Sequence, residues 1–276
     1  MNLYSPHIKF IDKTKENFNN YSHRAKHSII DTIIIHYTFL DFEDSLYTLT
    51  KGKVSSHYLI DRDGSIYYLV EKKNKAWHAG KSFWRDKENI NDNSIGIELV
   101  NKGQELNVKG KKFYLEGYES FTDSQYQSLN ILIKQLKADD ELAIQNRNII
   151  GHSDITAYNL RKIDPGLGFN WHKLYQEGHG LYYQTNDDED FIICKYLDAH
   201  DDIGCIQQKF ADIGYKIDIS NQLDEQTANI MLAFNMHFNQ KHCLQNEIGN
   251  KKYLEYGNWR NSANKSLNFI HKQIDN

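Results

Sequence analysis

The run Asp31-Thr-Ile-Ile-Ile-His-Tyr-Thr38 limits the fold more than any other stretch of the chain. Its consecutive β-branched residues read as a short buried strand that ends at His36. Ser94-Ile-Gly-Ile-Glu-Leu-Val100 is a second strand, with Ile95, Ile97 and Leu99 on one side and Glu98 on the other. Residues 57–70 read as a β-hairpin turning at Asp63-Gly64, because glycine supplies the positive φ of a tight turn. A brief strand at Ile149-Ile150 leads into Gly151-His152-Ser153-Asp154. Between these strands the spacing predicts helices. One covers residues 42–50, with Leu46 and Leu49 on one face. A second opens at the capping box Thr122-Asp-Ser-Gln125 and runs to about Ala138, with Leu129, Leu132, Ile133 and Leu136 inward. Residues 156–170 read as loop and 171–177 as a short helix.

Composition shifts near His179, and residues 181–190 form a polar, acidic linker. Beyond it the periodicity is helical only: Ile206, Phe210 and Ile213 make one stripe, a second helix starts near Asp224, and a third spans about 259–274 with Leu267 and Ile270 inward. The chain therefore divides into a mixed α/β domain at 1–180 and a small three-helix domain at 191–276, in keeping with a length of 276 residues. The net charge of −4, with both signs interspersed, argues against a nucleic-acid partner. No apolar stretch approaches the length of a membrane span, and Met1 to Lys15 lacks the apolar core of a signal peptide. Cys194, Cys205 and Cys243 are too few and too widely spaced for a disulfide framework and read as small core residues.

His36 and His152 each stand at the end of an apolar strand, and Asp164 lies in the fixed turn Lys162-Ile-Asp-Pro-Gly166. Taken singly, each has a plain reading: a hydrogen-bonded core histidine, or an aspartate that forms a turn. Together, two imidazoles and a carboxylate are the ligand set of a catalytic zinc with one open position, and also of a 2-His-1-carboxylate iron site. Glu98 reads either as an outward, solvated acid or as a general base toward metal-activated water. Lys162, two residues before Asp164 in extended chain, faces the same side and is either an oxyanion stabiliser or a surface lysine.

Six segments carry a resemblance. Ile33-Ile-Ile-His36-Tyr-Thr, Ser55-Ser-His57-Tyr58-Leu-Ile-Asp-Arg-Asp-Gly64, Ala76-Trp77-His78-Ala79-Gly80, Asn93-Ser-Ile-Gly-Ile-Glu98, Gly151-His152-Ser-Asp154 and Lys162-Ile-Asp164-Pro-Gly resemble, in order, the zinc N-acetylmuramoyl-L-alanine amidases of the type 2 amidase family, and most closely its AmiD-like and AmpD-like members. The likeness covers about residues 25–178. It implies a mixed central sheet flanked by helices, as in peptidoglycan recognition proteins. It also implies one Zn2+ on His36, His152 and Asp164, Glu98 as catalytic acid/base and Lys162 as transition-state stabiliser. His57 and His78 stay outside the metal's own ligand set. With Tyr58, Trp77, Ala79, Asn93 and Asp154 they form the candidate substrate-binding set. Trp77 reads equally as a sugar-stacking or a core aromatic, and Asp154 as an imidazole-orienting group or a loop cap. Residues 206–215, 223–227 and 233–238 look like a three-helix peptidoglycan-binding module, although Asn221 or Gln222 replaces the usual turn glycine. The implied partners are peptidoglycan or muropeptides, acted on by a monomer. The module favours the periplasm, and the missing signal peptide favours the cytoplasm. A binding-only peptidoglycan sensor on the same fold is the alternative.

Overall fold

The computed structural model describes residues 9–16, 20–103, 105–109, 112–116, 119–183, 192–194, 202–240, 247–248, 251–255 and 258–274. Six strands form the main sheet, in the order Phe10–Asp12, Ile66–Tyr68, Tyr58–Ile60, Ser94–Leu99, Thr32–Tyr37, Ile149–Gly151. The last four lie parallel to one another, and the hairpin strand Ile66–Tyr68 is antiparallel to Tyr58–Ile60. The isoleucine run is buried on both faces: Ile33 and Ile35 join one apolar cluster with Leu129, Leu132 and Leu136, and Ile34 joins another on the opposite side. Helices cover both sides of the sheet, so a strand at its centre has no solvent face on which to alternate.

Local chemistry places the elements. The hairpin turns at Gly64, whose φ is +89°. Asp41 caps helix α1 (Phe42–Lys51) by accepting from the Asp44 N–H. Thr122 and Gln125 cap helix α2 (Asp123–Lys137) reciprocally, satisfying two otherwise orphaned N–H groups. Helix α3 (His152–Ile155) is a single turn that starts where the last parallel strand stops, and helix α4 (Trp171–Gln176) is capped by Asn170.

Helices α5 (Ile203–Ile213), α6 (Glu225–Phe238) and α7 (Asn261–Gln273) follow. Asn221 takes the expected left-handed conformation, φ 58°. The buried Gln207 side chain ties that turn to α5: its Nε2 donates to the Gln222 carbonyl and its Oε1 accepts the Asn221 N–H. Phe210, Phe234, Leu267 and Ile270 share one apolar cluster with Ile34, Ala79, Ile150 and Ile155, so the C-terminal helices pack directly on one face of the sheet. The helical-only reading of the C-terminal part needs correction. Ile192–Cys194 pairs with Trp259–Arg260, and Lys251–Glu255 pairs with Glu247–Ile248 and with Lys112–Glu116. Those of two or three residues carry no readable alternation. Cys205 is exposed rather than in the core; Cys243 and residues 184–190 of the linker lie outside the described residues.

Candidate metal and catalytic centre

The C-terminal ends of parallel strands share one edge of the sheet, where loops converge and sites gather. His36 and Glu98 are register partners on neighbouring parallel strands, so their side chains leave the sheet on the same face. His152 follows Gly151, which pairs with Ile35. The Ser153 N–H donates to the Asp164 carbonyl at 2.9 Å and holds the Lys162–Gly166 turn against α3. His36, His152 and Asp164 are all buried, and one ligand atom from each lies within 4.8 Å of the others. His36 Nδ1 is 2.8 Å and His152 Nδ1 3.2 Å from the same Asp164 Oδ2.

Hydrogen-bond accounting fixes what these atoms offer. A carbonyl cannot donate, so the Ser94 hydroxyl proton goes to the Ile90 carbonyl, at 2.6 Å. Ser94 Oγ therefore accepts from His78 Nε2, at 3.2 Å. His78 Nδ1 is then a lone pair and accepts from His36 Nε2, at 3.0 Å. On the other side, His152 Nε2 donates to the Ala79 carbonyl at 3.1 Å. With both Nε2 atoms directed at acceptors, an Nδ1 of each imidazole faces one carboxylate oxygen. Two imidazole nitrogens and a carboxylate oxygen this close suit a zinc ion.

The charge states agree. Burial holds the His36 imidazole down to about 4, so it is a neutral donor at neutral pH. Burial opposes ionisation of Asp164, yet the carboxyl stays well below its usual range beside the His152 and His36 imidazoles. Burial, reinforced by the Asp164 charge and opposed by Lys162, pushes Glu98 up to about 8. Glu98 Oε2 is buried and has no hydrogen-bond partner among the described residues. Lys162 is exposed, and its positive charge reaches both Glu98 and His36.

A cleft of about 700 Å³ opens over these groups and includes His36, Glu98, His152, Lys162 and Asp164 in its lining. Trp77 and His78 also line it, and Trp77 is 37% exposed. Ala79 contributes its carbonyl, the acceptor for His152. Other candidates are not brought to the cleft. Tyr58 is buried and stacks on Tyr68. His57 is buried between the Gly96 N–H, the Asn74 carbonyl and the Arg24 guanidinium. The Asn93 amide bonds Asp31 at the opposite end of the strands, and Asp154 faces away from the cleft toward the C-terminal helices. Sequence reasoning missed two contributors. Arg161 also lines the cleft and donates to the Ala79 and Lys81 carbonyls; its place beside Lys162 was the available signal. Gly96 makes room for His78, since a Cβ there would lie 2.5 Å from the ring; the signal was a glycine inside an apolar strand.

The family model described as N-acetylmuramoyl-L-alanine amidase matches residues 26–167. The chain is 34% identical to AmiD, an N-acetylmuramoyl-L-alanine amidase of Escherichia coli, over 222 residues, covering 78% of this chain and 77% of AmiD. It is 37% identical over 121 residues to the 1,6-anhydro-N-acetylmuramyl-L-alanine amidase AmpD of Haemophilus influenzae, covering 44% of this chain and 56% of AmpD. The solved structure of E. coli AmiD with anhydro-N-acetylmuramic acid-L-Ala-D-γ-Glu-L-Lys superposes with a TM-score of 0.69 at 28% identity, covering 91% of this chain and 93% of AmiD. With the family motifs lying on the cleft just described, the chain belongs to the N-acetylmuramoyl-L-alanine amidase family and is an enzyme of that activity.

Proposed function

We propose that this amidase is zinc dependent, that His36, His152 and Asp164 hold the ion, and that it cleaves the amide joining the lactyl group of N-acetylmuramic acid, or its 1,6-anhydro form, to L-alanine of the stem peptide during cell-wall turnover or recycling. The observation that carries this reading is the convergence of two imidazoles and a carboxylate beside Glu98, one of whose oxygens is buried without a hydrogen-bond partner among the described residues, in one open cleft. A zinc ion held there supplies Lewis acidity, polarising a carbonyl and acidifying water.

The chain's own residues handle the protons. Glu98 takes a proton from the attacking water and returns it to the alanine nitrogen as the C–N bond breaks. One carboxylic acid and one amine leave, so the proton taken is the proton delivered. The Lys162 ammonium faces the negative charge that develops on the carbonyl oxygen. Trp77 and Arg161 flank the cleft where sugar and peptide approach. The full ligand set together with Glu98 favours catalysis over binding alone, since a sensor needs neither. The relatives' cell-wall roles support a site of action in the bacterial envelope, with the C-terminal helices as a second, peptidoglycan-facing domain.

Glu98→Ala tests the assignment. It should abolish release of the stem peptide from muropeptides while the zinc content, measured by elemental analysis, stays at one ion per chain. Full activity in that variant sinks the role of Glu98, and loss of zinc from it sinks the ligand set.

A further inference from the structure

The carboxylate of Asp154 is buried two residues beyond His152 and holds three donors. Its Oδ2 accepts the Gly151 N–H at 2.8 Å, which closes the α3 turn on itself. The other two donors come from the C-terminal part, one from the loop after α5 and one from α6. The Tyr215 hydroxyl donates to Oδ1 at 2.6 Å, and His237 Nδ1 donates to Oδ2 at 2.8 Å. Both residues are buried, and the His237 ring is clamped between Trp171 and Phe238 with centroids 3.7 Å from each. Ile155, on the same turn, and Ala157, just beyond it, belong to the apolar cluster that the C-terminal helices cover. The turn so held presents His152 on one side and, through Ser153, grips the Asp164 backbone on the other.

We propose that Tyr215 and His237 are positioning residues for the metal centre, and that the C-terminal helices complete the site by fixing α3 through Asp154. The argument is one of satisfied donors. Without the C-terminal helices the Asp154 carboxylate keeps one hydrogen bond of three, and its remaining oxygen lone pairs compete for the N–H groups that shape the turn. A ligand displaced by a fraction of an ångström loses metal affinity, which is why outer partners of metal ligands matter about as much as 10–100-fold in binding. This inference rests on the zinc reading of the site.

The experiment measures the zinc dissociation constant of the full chain by competition with a chromogenic chelator, and kcat at saturating zinc. Tyr215→Phe deletes one oxygen and keeps the shape of the core; His237→Asn keeps a donor at the Nδ1 position, and His237→Leu removes it. The expectation is about a tenfold or greater rise in the zinc constant for Tyr215→Phe and His237→Leu, little change for His237→Asn, and recovery of most of kcat when zinc is saturating. Leu267→Ala is the control: it loosens α7 in the same core without removing a donor to Asp154, and should lower the melting temperature while leaving zinc affinity unchanged. A zinc constant within twofold of the parent in both Tyr215→Phe and His237→Leu overturns the proposal. A parent chain that fails to bind zinc overturns the zinc reading instead.

Discussion

His78 never touches the proposed metal, yet it decides which nitrogen of His36 is free to bind one. Its own tautomer is dictated by Ser94, whose single proton is committed to the Ile90 carbonyl. His78→Leu should therefore weaken zinc binding by about 10–100-fold, checked by chelator competition, while 15N shifts of the parent should show protonated Nε2 on both His36 and His78. Gly96→Ala should act in the same direction, because its Cβ would meet the His78 ring at 2.5 Å. Unchanged zinc affinity in Gly96→Ala would mean that the ring has another place to go. The ligands themselves were legible in the sequence as residues ending strands or fixing a turn. The Ser94–His78–His36 chain was not, because a hydrogen bond across segments 16 and 42 residues apart leaves no spacing pattern. For the same reason His57, a histidine like the others by composition, could be told from a ligand only by its partners.

Among the elements, those with strong local signals sit where their chemistry puts them. The Thr122 capping box, the Asp63-Gly64 hairpin and the isoleucine strand were all readable from a few residues. Thr122→Ala removes the oxygen that accepts the Gln125 N–H and should cost about 1 kcal/mol in denaturant unfolding with little effect on kcat, since α2 lies across the sheet from the cleft. A cost below a few tenths would show that solvent or Asp123 takes over the cap. Many of the strands that escaped notice are very short, such as Phe10–Asp12, Tyr21–His23 and Asn74–Ala76, but the five-residue strands Glu105–Lys109, Lys112–Glu116 and Lys251–Glu255 escaped it too. Two or three residues cannot display an alternation of period two, and such strands exist because a partner edge supplies their hydrogen bonds.

The molecule as a whole buries several neutral imidazoles, and acid should exploit this. Burial holds His57 down to about 3, with Arg24 adding to the effect. An unfolded histidine takes up its proton near 6.5, so between pH 6.5 and 3 the unfolded state binds protons that the native state refuses, and stability falls as the pH is lowered through that window. Urea unfolding of the metal-free chain at pH 7 and pH 4.5 should show a clearly lower midpoint at the acid value; a flat profile would mean that His57 gains a proton without opening the fold. A change in periodicity near residue 180 suggests two parts. That the C-terminal helices share a core with Ile34 and Ile150 was invisible, because the pairing of an amphipathic stripe with its cover is a long-range choice that no local window records.

The side-by-side register of His36 and Glu98 has a consequence for how such a chain can vary. Substitutions along either strand leave the pair facing each other, and loops such as those carrying Trp77 or Arg161 can change length without disturbing it. One residue inserted or deleted between Ser94 and Glu98 is different in kind. It would turn the carboxyl through to the far side of the sheet, into the apolar layer with Leu132. Descendants of this sequence can drift widely in what they grip, but within that short stretch they can tolerate exchange only, never a change in count.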